Sequence, residues 1–176
     1  MSNLSDFIGG RMVDKFVLLT DASGTWTLPT AILGDTIYVS GIAGGESHNS
    51  TGPVYGQGGE FIQEWPVTVS ANVAYTCGTG GTGTAGANGG NSTFGGITLL
   101  GGGVASSRGC PRGDGSGNSC AVPPGPYGSN DYNSNPDDAL GGGGLDFGGT
   151  LYGNGGNATN NNGGAGAWLV RWKEKA

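Results

Sequence analysis

The sequence predicts an all-β protein, a small β-sandwich or β-roll with long glycine-rich loops. Its first half contains short runs of β-branched and aromatic residues bounded by Gly, Pro, Asn and Asp, which is typical of strands and turns. Charged residues make up only 11% of the chain, roughly half the usual share. Amphipathic helices are therefore not expected, because they need a charged face as well as an apolar one.

The strands follow from these runs. In chain order they are predicted at residues 16–20, 24–27, 35–40, 61–65 with 67–69, 73–76 and 167–173. In the last of them Trp168, Val170 and Trp172 fall on one face at a period of two. Such a strand must pair with something, and the simplest partner is the sheet formed by residues 16–76.

The chain divides into an arm and one domain. Residues 1–15 are typical of a short helical turn that ends at Gly9 and Gly10, and we expect them to form an N-terminal attachment arm. Residues 16–176 are expected to form a glycine-rich β domain. Its strands, at 16–76 and 167–173, flank a glycine-rich region at 78–164 that holds most of the 41 glycines of the chain.

Two structures are open to the glycine-rich region. It could stay disordered, because glycine loses more backbone freedom on folding than any other residue. It could instead pack as extended segments or polyproline-II-type helices whose bare backbones approach each other closely. The second is favoured because apolar side chains interrupt the glycines, which linkers rarely show. These side chains belong to Phe94, Ile97, Leu99, Leu100, Leu140, Leu145, Phe147, Leu151 and Tyr152. We therefore expect packing that is partly like that of polyglycine II.

Two further stretches are predicted to be loops. Residues 41–60 form a glycine-rich excursion between two strands and are expected at the surface. Residues 106–139 contain five prolines and a polar stretch, and are expected to form longer loops. If any segment varies to meet a partner, we expect it to be this second one.

Charge and hydropathy exclude several partners. The net charge is −6, and the basic residues cluster only in the short tail Arg171, Lys173 and Lys175. Nucleic acid is not an expected partner, because phosphate binding requires many cationic contacts. No apolar run approaches the ~20 residues of a membrane helix, and residues 1–15 lack the regions of a signal peptide. We therefore expect no membrane insertion. We also expect the protein to be made in a cytoplasm and not to use standard export.

The three cysteines are too few for a disulfide framework. Cys110 and Cys120 bracket a glycine-rich loop that a disulfide could close in oxidising surroundings, whereas two free thiols are equally consistent with a reducing cytosol. Cys77 stands at the end of an apolar strand and is interpreted as a small buried hydrophobic residue.

No residue set predicts an enzyme. The G-x-G-x-x-G match at residues 78–83 is not followed by a helix that could bind a pyrophosphate. His48 is the only histidine, and it is interpreted as a solvated loop residue. No C-x-x-C, H-x-x-H or calcium-loop spacing is present, so we expect no metal and no cofactor.

The aromatic residues fall into two groups. Trp26, Trp65, Trp168 and Trp172 lie in predicted strands and are interpreted as core or inter-subunit residues. Tyrosines in polar, glycine-rich loops could instead stack on a glycan or grip a protein surface, while turn tyrosines without a ligand are the alternative at each position. The candidate receptor-binding residues are Tyr55, Tyr127, Asn130, Asp131, Tyr132 and Asn133.

An ordered series of landmarks over residues 16–172 resembles the glycine-rich domain of phage tail fibres and related receptor-binding proteins. The series begins with a strand and the turn Ser23-Gly24-Thr25-Trp26 and ends in a glycine run and a short aromatic strand. Its landmarks are Ser23–Trp26, Pro29, Thr36–Gly45, Gly58–Phe61, Pro66–Val69, Tyr75–Gly78, Gly89–Gly95, Leu99–Gly103 and Gly164–Trp172. The glycine runs are shorter and more broken here than in the most glycine-rich adhesins.

The resemblance implies a non-enzymatic virion protein, assembled in the host cytoplasm, that sits on a tail fibre or tail tip and binds a host surface protein or glycan. We expect a homo-oligomer attached to other tail proteins through the arm. Little precedes the domain that could act as a fibre shaft, so a separate tip or side protein is expected. The alternative is a structural virion protein that joins or decorates subunits and contacts no receptor.

Overall fold

The computed structural model describes residues 12–48, 56–103, 144–156 and 161–175, and this part of the chain holds ten strands and no helix. The predicted all-β class is confirmed. The strands are β1 (Met12–Leu19), β2 (Ser23–Trp26), β3 (Thr36–Ile42), β4 (Phe61–Thr68), β5 (Val73–Thr76), β6 (Ser92–Phe94), β7 (Ile97–Leu99), β8 (Leu145–Asp146), β9 (Leu151–Tyr152) and β10 (Ala167–Lys175).

The first sheet has the order β1-β10-β3-β4, and every pair in it is antiparallel. The C-terminal strand β10 therefore lies in the middle of the sheet, between two strands from the N-terminal part of the chain. It pairs along β1 from Leu19 to Met12 and along β3 from Ile42 to Tyr38. The prediction that the last strand pairs with the N-terminal sheet is confirmed.

The second sheet has the order β2-β5-β6-β7 and faces the first to form a β-sandwich. Its hairpin β6–β7 turns at Gly95 and Gly96, and Gly95 has a φ of +56°, which favours glycine. Strands β8 and β9 form a separate two-stranded hairpin.

The core between the two sheets is built on aromatic rings. Trp168 and Phe94 have no exposed surface, and their ring centroids are 5.6 Å apart. Trp26 contacts Phe94 at 6.3 Å and Trp172 at 5.7 Å, so that one aromatic cluster joins β2, β6 and β10. The indole N–H of Trp168 donates to the carbonyl oxygen of Thr76, which satisfies its one polar group inside the core.

The hairpin β8–β9 covers part of the outer face of the first sheet. Phe147 and Tyr152 lie 5.8 Å apart between ring centroids and pack in a second apolar cluster with Ile42 and Leu169. The rest of that outer face, towards the start of β3, is not covered by the hairpin.

The structure bears on three interpretations of the sequence: the boundary of the arm, the tryptophans and Cys77. Strand β1 begins at Met12, so residues 12–15 of the expected arm belong to the sheet. Trp26 and Trp168 are core residues as predicted, whereas Trp65 on the edge strand β4 is 55% exposed. Cys77 is buried, and its thiol donates to the carbonyl oxygen of Leu19, which confirms its interpretation as a small core residue.

Candidate functional site

A glycine-rich segment at residues 43–48 continues β3 beyond the sheet and is surrounded by other glycine-rich segments. Its N–H groups bond to three different segments in turn, with N···O distances of 2.8–3.0 Å. Ala43 and Glu46 donate to residues 60 and 57, Gly44 and Ser47 to residues 90 and 87, and Gly45 and His48 to residues 164 and 161. The bonding direction thus repeats every three residues, which is the period of a polyproline-II helix.

The carbonyl groups of this central segment point to three further segments. The oxygens of Gly44, Gly45 and Glu46 accept from the N–H groups of Gly102, Gly81 and Gly156. The central segment is consequently surrounded by six neighbours, at residues 56–60, 78–81, 86–91, 100–103, 153–156 and 161–166. We call these six segments together with residues 43–48 the glycine bundle.

The six neighbours also bond to one another and close a ring. Residues 56–60 donate to 153–156 and 100–103, residues 86–91 donate to 100–103 and 78–81, and residues 161–166 donate to 78–81 and 153–156. Each of the six therefore bonds to both of its neighbours in the ring as well as to the centre. All six N–H groups of the central segment are thus hydrogen-bonded within the protein, as buried backbone donors generally are.

The close spacing of these segments is the reason for their glycines. A Cβ on Gly45 would lie 1.9 Å from the carbonyl oxygen of Asn154, and one on Gly44 would lie 2.1 Å from that of Thr79. Neither glycine has a positive φ. Glycine is thus required here for the close approach of two backbones, as on the axis of the collagen helix, and not for an unusual conformation.

Side-chain oxygens accept hydrogen bonds from several backbone N–H groups that do not bond to the backbone of a neighbouring segment. Glu46 is 2% exposed, and its carboxylate accepts the N–H of Gln57 at 3.0 Å. The Gln57 side chain in turn accepts the N–H of Gly103, and the Glu60 carboxylate accepts the N–H of Leu100. The polar residues scattered among the glycines therefore add side-chain hydrogen bonds to the bundle.

These contacts correct two interpretations made from the sequence. The described parts of the predicted surface loop 41–60 are largely buried, and residues 43–48 form the centre of the bundle. His48 is not a solvated loop residue: it is half-buried, and its backbone bonds to Asn161 and Gly86. Sequence reasoning missed this because the bonding partners lie far apart along the chain.

The bundle has one end at the sheets and one end away from them. Residues 43–48 leave β3 at the sheet and, at about 3.1 Å per residue, reach about 15 Å beyond it. At their far end lie His48, the exposed turn Thr82–Ala85, and Asn161 with Asn162. Asn162 accepts the N–H of Gly83 in that turn. We call this group of residues the distal end.

The candidate receptor-binding residues and the candidate disulfide lie outside the described residues. These residues are Tyr55, Tyr127, Asn130, Asp131, Tyr132, Asn133, Cys110 and Cys120.

The chemistry of the distal end is neutral. Its described side chains are hydroxyls, amides and one imidazole, and none is a carboxylate, ammonium or guanidinium. Among the described residues no group of three or more His, Cys, Asp and Glu side chains could hold a metal ion. No helix capable of crossing a membrane occurs in the described part of the chain.

No protein-family model matches this chain, and no curated protein matches it either.

Proposed function

We propose that the protein is a non-enzymatic component of a phage tail fibre or tail tip, and that its distal end binds the host cell surface. The observation that carries this proposal is the closed ring of hydrogen bonds around residues 43–48. It holds the distal end on a stiff support away from both sheets. A binding surface that is already ordered avoids much of the entropy cost of binding.

The connectivity of the bundle supports the same assignment. Among the described residues, the exposed turn Thr82–Ala85 connects two bundle segments at the distal end. Residues that bind a partner are often carried by loops on a rigid scaffold, because loops can change sequence without disturbing a core. Tyr55, one of the candidates from the sequence, immediately precedes Gly56, which belongs to the bundle.

The neutral chemistry of the distal end indicates the kind of partner. Hydroxyl and amide groups donate and accept hydrogen bonds without requiring a counter-charge, so they suit sugar hydroxyls or the loops of a surface protein. In this proposal the sequence candidates Tyr55, Tyr127 and Tyr132 supply apolar contact area. Attachment to the tail would be made by the N-terminal arm.

The proposal is tested by adsorption of the purified protein to cells of the phage host. Lysine substitutions at Thr82 and Thr84 place two charges in the exposed turn of the distal end. We expect adsorption to weaken by about tenfold or more, as when central contacts of an interface are lost. Competition of the wild-type protein with phage infection should fall in parallel.

Thr98→Lys is the matched control, because Thr98 is also exposed but lies on β7 in the second sheet. This variant should adsorb like the wild type. Absence of adsorption by the folded wild-type protein would contradict the proposal and favour a structural joining or decoration subunit. An equal loss of adsorption in the Thr98→Lys control and in the variant with lysines at Thr82 and Thr84 would exclude the distal end as the binding surface.

A further inference from the structure

An exposed patch lies on the outer face of the first sheet, at the opposite end of the molecule from the distal end. The strand registers place Phe16, Arg171, Tyr38 and Pro66 side by side in one row across β1, β10, β3 and β4. Phe16 is 61% exposed and Tyr38 is 40% exposed. The apolar cluster beneath the β8–β9 hairpin adjoins this row, and the β8–β9 hairpin does not extend over it.

The patch has a recess beside its projecting rings. A cavity of about 250 Å³ is lined by Asp14, Leu33, Thr36, Tyr38, Arg171, Trp172 and Lys173. This volume is below the usual range for small-molecule sites, about 300–1,000 Å³. A recess of this size can receive a side chain of a partner protein.

The charges of the patch are balanced within the patch itself. The Arg171 guanidinium forms an ion pair with the Glu64 carboxylate and lies over the ring of Tyr38, 5.2 Å from its centroid. Asp14 and Lys173 stand opposite each other in the register of β1 and β10. A partner with a strong net charge of either sign would gain little here, whereas a partner with the same balanced charges would fit.

We propose that two copies of the chain associate through this patch, face to face. A two-fold interface requires that one surface be complementary to itself. This patch meets the requirement, because it carries projecting rings beside a recess and charges of both signs. Its Phe, Tyr and Arg side chains are also among those enriched in interface cores. The inference goes beyond the proposed function and does not depend on host binding.

The test is sedimentation of the full-length chain over a range of concentrations. We expect a concentration-dependent dimer for the wild type. Phe16→Lys and Tyr38→Lys each bring like charges together across the two-fold interface and should raise the dissociation constant by about tenfold or more. Both residues are exposed at the surface, so the fold should persist, and circular dichroism and the thermal midpoint check this.

Trp65→Lys is the matched control. Trp65 is 55% exposed, close to the value for Phe16, but it pairs with the core residue Val39 and therefore points away from the patch. Its dimer should have an unchanged dissociation constant. A wild-type chain that stays monomeric, or a dimer that survives the Phe16 and Tyr38 substitutions, would overturn the proposal. Loss of the dimer in the Trp65 variant alone would overturn it as well.

Discussion

Single atoms decide where glycine is required in this molecule. At most positions in the bundle a Cβ would meet a backbone carbonyl oxygen, which cannot move aside as the end of a side chain can. At Gly95 the reason differs, because its φ of +56° is positive and no backbone atom crowds the added Cβ. Two physical causes, close approach of backbones and backbone conformation, therefore contribute to the high glycine content. The glycine content alone cannot distinguish them.

Gly45→Ala tests the close-approach argument. Its Cβ would lie 1.9 Å from the carbonyl oxygen of Asn154 and 2.8 Å from that of Gly153. We expect the free energy of unfolding to fall by about 3 kcal/mol or more, because the bundle must open to accept the methyl group. Chemical denaturation followed by tryptophan fluorescence measures this change.

Gly96→Ala is the control for that substitution. Gly96 has no atom within 4 Å of the added Cβ, and its φ is not positive. Its unfolding free energy should change by only about 0.5 kcal/mol, as at an ordinary surface position. Equal effects of the two substitutions would show that the bundle segments are not packed as described.

Cys77 provides a prediction about pH. Burial, with a smaller contribution from the charge of Asp21, raises the pKa of its thiol from 9.0 to about 11. The folded state thus holds the proton more tightly than the unfolded state. The resulting stability is fully present below about pH 9 and is lost as the pH rises towards about 11.

The measurement is the free energy of unfolding between pH 8 and pH 11, for the wild type and for Cys77→Ala. The wild type should lose stability more steeply than the variant above about pH 9. Burial also raises the pKa of Tyr75, so a smaller slope should remain in the variant. Parallel curves for the two proteins would mean that the Cys77 thiol is not desolvated by folding.

At the scale of elements, the longer strands could be predicted and the shorter ones could not. The period-two pattern of β10 and the β-branched runs of β3 and β4 mark strands that bury one face against a core. Strands β6 to β9 have two or three residues each. A run of that length contains too few residues for a periodicity to be recognised.

The role of residues 43–48 could not be predicted for a different reason. Their bonding repeats every three residues, but the residues themselves do not, because Ala43, Glu46 and Ser47 occupy positions between glycines. Their partners extend as far along the chain as residue 164. A glycine-rich stretch between two strands has the composition of a surface loop. Only its long-range backbone hydrogen bonds show that it is the central segment of the glycine bundle.

At the scale of the whole molecule, the C-terminal residues join the glycine bundle to the first sheet. Residues 161–166 close the ring of the bundle, and β10 follows directly as a central strand of the first sheet. The sequence predicted that strands flank the glycine-rich region, and β10 directly follows its last described segment. The positions of His48 and the turn Thr82–Ala85 at one end of the bundle could not be predicted, because they depend on the bonding of all seven segments.

The molecule is consequently divided between two ends of different chemistry. Charged side chains such as Asp14, Glu64, Arg171 and Lys173 lie on the first sheet, and the described residues of the distal end carry none. The sheet end offers an aromatic patch with balanced charges, and the other end offers neutral hydrogen-bonding groups. This separation would allow the two ends to bind different partners independently.

Amide hydrogen exchange of residues 43–48 tests the central claim most directly. If this segment is the bonded centre of the bundle, its amides should exchange only through global unfolding, as slowly as those of Val39 in β3 and Val170 in β10. Exchange of these amides at the rate of an unstructured peptide, while β3 and β10 remain protected, would contradict the account.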